Sequence, residues 1–233
     1  MLMLGHKGIE AKRTDLPNVI SRPVLRAMGF PGKTAPAVKV GGRKVQTTRA
    51  LARALDELQP EPPLFPADPE QRAKVEAAER WGDEVLQPVP RRLAWSSPIR
   101  RNKSDLLGFF EGPVLGVPPK VAMLAAGPLL AASARIHAAT DEQVQADLAA
   151  LPGTLDHVDS LIADGVIGGP QRNAADFQIA CSVRLLMCFD DVLPAIEGRP
   201  AERFAREVAP DFRGQVPPRL PAEWVTPLQA RPA

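Results

Sequence analysis

Tyrosine is missing from this 233-residue chain and aromatic residues make up only 5% of it, so no phenol is available to steady a developing anion. Cysteine is almost missing: Cys181 and Cys188 are the two present. On a shared helix they would lie on one face about 10 Å apart along the axis, beyond the roughly 7 Å Cα separation that a disulfide tolerates. They are therefore read as buried thiols of a reducing compartment, and the protein as cytoplasmic. Only three histidines occur. His6 stands at a helix end before Lys7-Gly8, and His137 and His157 lack the spacing of a metal site, so no metal is expected. Excess charge is also lacking: 29 basic and 27 acidic residues leave +2, which argues against a dedicated nucleic-acid binder. The basic doublets Arg91-Arg92 and Arg100-Arg101 read either as solvated helix ends or as an anion or partner site. The apolar run Val121 to Ala134 is too short to cross a bilayer and contains Pro128, so it is read as a core helix and no membrane is implied. The N-terminus carries no charged-then-apolar secretory pattern.

Proline, by contrast, is abundant. Most of the 26 prolines cluster in Pro60–Pro69, Pro88–Pro98, Pro113–Pro128 and Pro217–Pro232, marking helix boundaries and linkers. Residues 2–8 read as a helix end. Ile9 to Asp15 alternates loosely, like an edge strand, and Ser21 to Met28 fits a short helix with Pro23 in its first turn. Strands Ala35–Val40 and Lys44–Gln46 are joined across Gly41-Gly42, and a helix Thr48–Leu58 follows with Leu51, Leu55 and Leu58 on one face. From Glu70 on, no convincing strand is present. Val75, Ala78, Trp81, Val85 and Leu86 recur at helical spacing. Glu142 to Leu161 is amphipathic, with Pro152-Gly153 predicted to bend or interrupt it. Asn173 and Asp176 have the spacing of a capping box, worth about 1 kcal/mol, opening a helix apolar on nearly every side. That helix should be the central post of the second half. The tail beyond Pro210 reads as extended or frayed, with Trp224 and Leu228 able to pin part of it.

Three blocks, in this order, resemble a soluble, bacterial-type glutathione transferase. They are Thr34 to Leu51; Glu61-Pro62-Pro63-Leu64-Phe65-Pro66 with Asp68-Pro69-Glu70 and the Trp81 helix; and Asn173 to Ala180, followed by Asp190-Asp191 and Pro194-Ala195-Ile196. The resemblance implies a fold that is α+β and mostly α: a truncated thioredoxin-like N-terminal domain (1–60), a linker (61–69), an all-α C-terminal domain (70–215) and a Pro-rich tail (216–233). In that family the residue before the proline offers its backbone to the cysteinyl part of glutathione, which here is Ala35 before Pro36. A polar residue and a hydroxyl then hold the γ-glutamyl carboxylate, matched by Thr47 and Thr48, with Thr47 where glutamate is commoner. The helix opening there is itself an anion site.

What the resemblance implies is conjugation of glutathione, as substrate, or a related small thiol to an apolar electrophile, by a homodimer. The electrophile would lie between the domains, over the helices around Trp81 to Trp95 and Phe109-Phe110. A thiol of ordinary pKa near 8.5 must become a thiolate to react. The family supplies the hydrogen-bond donor for this from a tyrosine, serine or cysteine ahead of the first helix. Met1–Gly8 already matches the end of that helix, and the first serine and cysteine of the chain are Ser21 and Cys181. No catalytic residue is therefore assigned. Two readings stay open: a start lying upstream of Met1, or a non-catalytic thiol-binding or structural protein of the same fold.

Overall fold

The computed structural model describes residues 1–14, 18–32, 35–109, 118–124 and 126–229. Asp15, Thr34, Phe110, Ala125, the start of the Pro113–Pro128 cluster and the last four residues of the tail, which enter the expectations above, lie outside them. The strand-bearing part contains α1 (Leu2–His6), α2 (Asn18–Ala27), β1 (Ala37–Val40), β2 (Arg43–Gln46) and α3 (Thr48–Leu58). Among the described residues the elements after it are helical: α4 (Pro69–Trp81), a π-helical turn Gly82–Leu86, α5 (Pro88–Ala94), α6 (Ser97–Arg101), a 3-10 segment Lys103–Phe109, α7 (Pro119–Leu124), α8 (Gly127–Ile136), α9 (Asp141–Ala163), α10 (Ala174–Leu186), α11 (Leu193–Ile196), α12 (Pro200–Val208) and α13 (Ala222–Gln229). A thioredoxin-like part followed by an all-helical part is the fold class read from the sequence.

β1 and β2 form an antiparallel hairpin in which Ala37 faces Gln46 and Val40 faces Arg43. Gly41 and Gly42 close it with φ of 54° and 83°, the doubly left-handed turn that suits the twist of the two strands. The predicted edge strand over residues 9–14 is not formed. Its residues from Glu10 to Thr14 are exposed, so water satisfies backbone groups that a ladder would otherwise need to. α2 starts earlier than predicted, at Asn18, which puts Pro23 inside it rather than in its first turn.

α10 is the central post. Every residue from Ala174 to Ala180 is buried, and the helix packs on α12, α4, the π-turn and α1. Gly82, the first residue of the π-turn, lies close against α10. A Cβ there would come 2.9 Å from Ile179 Cγ1, so a side chain would push the π-turn and α10 apart. The segment before α4 docks into the core: Leu64 and Phe65 are buried, and Leu64 O accepts from Ala174 N at 2.9 Å. Phe65 lies between two guanidiniums, Arg53 of α3 at 4.6 Å and Arg72 of α4 at 5.0 Å from its centroid.

Three further expectations are corrected. α9 stays helical through Pro152, because Leu148, Leu151, Leu155 and Val158 form a continuous buried row that outweighs the lost backbone bond. The apolar run 121–134 is divided between α7, which ends at Leu124, and α8, which opens at Gly127 with Pro128 in its first turn, and Val121 and Leu124 are exposed. The tail runs without helix over residues 211–221, touching the body through one bridge of Val216 to Phe189, but Ala222–Gln229 is not frayed: it forms α13 along α9, and the i,i+4 pair Trp224 and Leu228 is buried in the main core, pinning the tail as read.

Cys181 and Cys188 are both free thiols; Cys188 is buried as read while Cys181 is half-buried, and burial pushes Cys188 up to about 11, far from a reactive thiolate. His157 meets the Trp81 ring edge-on at 4.4 Å. Among the described residues no group of three metal-ligating side chains occurs, and no helix is long and apolar enough to cross a membrane.

Candidate functional site

The hairpin brings Ala35, Pro36, Thr47 and Thr48 together. The Ala35–Pro36 bond is cis, and Pro36 opens β1 directly across from the end of β2. Thr47 N donates to Pro36 O at 3.1 Å, closing the two chain ends into one surface. Thr47 then caps α3: its Oγ1 accepts from Ala50 N at 3.2 Å. Its backbone sits at φ 74°, ψ 150°, a region that is nearly reserved for glycine and is costly for a β-branched residue. Such strain persists only where the surroundings hold it, and it concentrates at ligand sites. The result aims the first turn of α3, with its positive dipole end, past the Pro36 turn. Ala35 and Thr47 are exposed and Pro36 and Thr48 are half-buried, so a ligand can reach all four.

Gln46, a residue the sequence did not single out, is buried beside this turn and accepts from Gly32 N through Oε1. Also unforeseen is the clamp behind Thr48. Arg49 and Arg53, one turn apart on α3, reach across to the helical part. Arg53 Nη1 donates to Glu79 Oε2 at 2.8 Å, Arg49 Nε lies 3.8 Å from the same oxygen, and Arg49 Nη1 lies 3.4 Å from Glu84 Oε1. The i,i+4 spacing of two arginines was the signal available; their partners, about thirty residues on, were not. Glu79 is fully buried, and burial raises its pKa above the ordinary 4.5 even though Arg53 and Arg49 pull it down. A carboxyl that holds its proton more readily when folded makes stability fall as pH rises from about 4.5 through its folded value. Urea melts across that window should show this fall in the wild type and a flatter profile in Glu79→Gln.

The other predicted positions are dispersed. Asn173 and Asp176 form the capping box of α10, a structural role. Trp81 packs on His157, Trp95 on His137, and Phe109 on Phe189, so these rings have separate partners and do not share one pocket. His6 lies against Phe177 in a groove of about 1090 Å³ that α1 forms with Arg172 and Val208. Burial, then Lys7 and Arg172, lowers its pKa.

The fold that these elements build is similar to that of solved glutathione S-transferase structures. Along nearly its whole length the chain is similar to a glutathione S-transferase from Rhodospirillum rubrum F11, at 18% identity and a TM-score of 0.54 over 97% of this chain and 91% of that one. FzlA from C. crescentus is similar to the same degree, at 19% identity and 0.54 over 98% and 92%. No protein-family model and no curated protein matches the chain. At such identities the likeness speaks for the fold.

Proposed function

We propose that this chain is a glutathione transferase-like protein that binds glutathione or a related small thiol at Ala35, Pro36, Thr47 and Thr48 and presents its sulfur to an electrophile between the two parts of the fold. The observation carrying this reading is the strained Thr47, bonded to the Pro36 carbonyl and pointing the α3 N-terminus at open solvent. Backbone groups beside Pro36 suit the cysteinyl amide, and the α3 N–H groups with the Thr48 hydroxyl suit the γ-glutamyl carboxylate. Neither cysteine takes part, since both lie on or just after α10. The working form under this proposal is a cytoplasmic homodimer.

Titration calorimetry with glutathione tests the site. The wild type should bind, and Thr48→Ala should weaken binding by about 1–3 kcal/mol through loss of a hydrogen bond to a charged group. No binding heat from the wild type, or an unchanged affinity in the variant, removes the assignment. Turnover of a generic aryl chloride with glutathione distinguishes conjugation from a thiol-binding role without chemistry.

A further inference from the structure

Residues 9–14 alternate like an edge strand, yet within one copy of the chain they join no helix, turn or sheet. Glu10, Ala11 and Lys12 are exposed, and none of the three makes a hydrogen bond or ion pair among the described residues. Their backbone N–H and C=O groups form an open row that a second extended chain can pair. The same three residues line the groove of about 1090 Å³ beside α1. Its apolar lining includes Leu2, which is exposed, with Phe177 of α10 and Val208 of α12, which are buried.

The charges around this groove select its occupant. Arg172 and Glu207 also line it, and they pair with each other through Arg172 Nη2 and Glu207 Oε1. One anion, Glu10, and one cation, Lys12, are left over. Two positions apart, they share one face of an extended segment. A partner of a single charge sign would satisfy one of them and repel the other. What matches both is a segment with the same two charges running in the opposite direction, and the chain carries that segment itself. In an antiparallel pair of two copies centred on Ala11, each Glu10 faces Lys12 of the other copy. The two-fold axis thus makes two opposite-charge cross-strand pairs from a single self-complementary surface.

We infer that residues 9–13 and the groove beside them are an interface between two copies of this chain, joined as an antiparallel strand pair in which Glu10 and Lys12 meet across the two-fold axis. The inference rests on the homodimer of the reading above and gives that dimer its surface, but it requires nothing of the thiol site. The edge strand suggested by the sequence is then completed by association rather than by folding.

Sedimentation velocity of the full chain over a concentration series tests the interface. The wild type should dimerise, and more weakly as ionic strength rises, because the paired charges lie at the surface. Glu10→Lys and Lys12→Glu each turn two attractive pairs into two repulsive ones and should weaken association at least about tenfold. Both positions are exposed, so the melting temperature should stay that of the wild type. Mixing the two single variants should restore dimers, since each then meets the opposite charge, and so should the double variant Glu10→Lys with Lys12→Glu. A wild type that stays monomeric, single variants that dimerise as tightly as the wild type, or variants that fail to complement one another overturn the inference. Calorimetry with glutathione separates this result from the thiol reading. Dimers with this charge pattern but no glutathione heat keep the interface and remove the thiol site, whereas a monomeric wild type that binds glutathione does the reverse.

Discussion

Asp176→Ala should lower the free energy of unfolding by about 3 kcal/mol, because two backbone donors in a mostly dry setting lose a charged acceptor at once. Asp176 is fully buried. Its Oδ2 accepts from Asn173 N at 2.7 Å, which completes the capping box, and its Oδ1 accepts from Gly168 N at 2.6 Å, which ties down the loop between α9 and α10. Asn173 returns the favour to Ala175 N and Asp176 N and donates through Nδ2 to Val166 O. The side chain thus joins a helix start to the loop ahead of it, so the expected loss exceeds the roughly 1 kcal/mol of an ordinary cap. Burial nevertheless raises the Asp176 pKa above 3.8, against the pull of both backbone donors. The hydrogen bonds, not the charge, are therefore what stabilises. Asp176→Asn keeps one acceptor oxygen and should lose about half as much as the alanine variant. With a raised folded pKa, wild-type stability falls as pH rises from about 3.8, so its lead over Asn should narrow in that direction. Urea midpoints at unchanged slope read all three proteins. A loss below that of a surface substitution in Asp176→Ala would show that the loop bonds are not made in solution.

What was legible in the sequence follows how local each feature is. Asn173 and Asp176 are three residues apart, and the apolar run behind them is continuous, so the cap and the buried helix could both be read. Pro36, Gly41-Gly42 and the two threonines lie within one hairpin, so the candidate site could be read as well. The positive φ of Thr47 could not, because nothing about threonine favours it; the hairpin register and the Pro36 carbonyl impose it. Pro221 and Pro227 suggested a frayed end, yet Trp224 and Leu228 bury enough surface on α9 to make α13 helical. Features assembled from distant segments stayed hidden: Arg53 with Glu79, or Arg92 with Asp147. Each of these residues alone reads as an ordinary solvated charge, and only tertiary packing brings the members together.

Lys7→Ala should cost about 3 kcal/mol, the scale of breaking one side of a buried ion pair. A cation after a helix reads as a solvated partner of the dipole, but Lys7 is 1% exposed. Its Nζ donates to Asp56 Oδ1, to Gln59 O at 2.7 Å and to Pro60 O at 3.3 Å, so all three of its donor positions are used. Gln59 Nε2 returns a bond to Lys7 O at 2.6 Å, which locks the end of α1 to the end of α3 from both sides. Removing the ammonium leaves two carbonyls and a carboxylate facing a void. Asp56, whose side chain is 22% exposed, can recover some water, which keeps the loss below that of a fully sealed pair. Lys7→Met retains the apolar stem and should lose about 1 kcal/mol less than alanine, since the void is then largely filled. Combining Lys7→Met with Asp56→Asn should not restore the wild type, because Asp56 Oδ1 also accepts from Leu64 N at 2.9 Å and positions the buried Leu64 and Phe65. The expected pattern is therefore a double variant at or below the stability of Lys7→Met in urea melts. Full recovery would mean that Lys7 serves only to neutralise Asp56 and that α1 is held by packing alone.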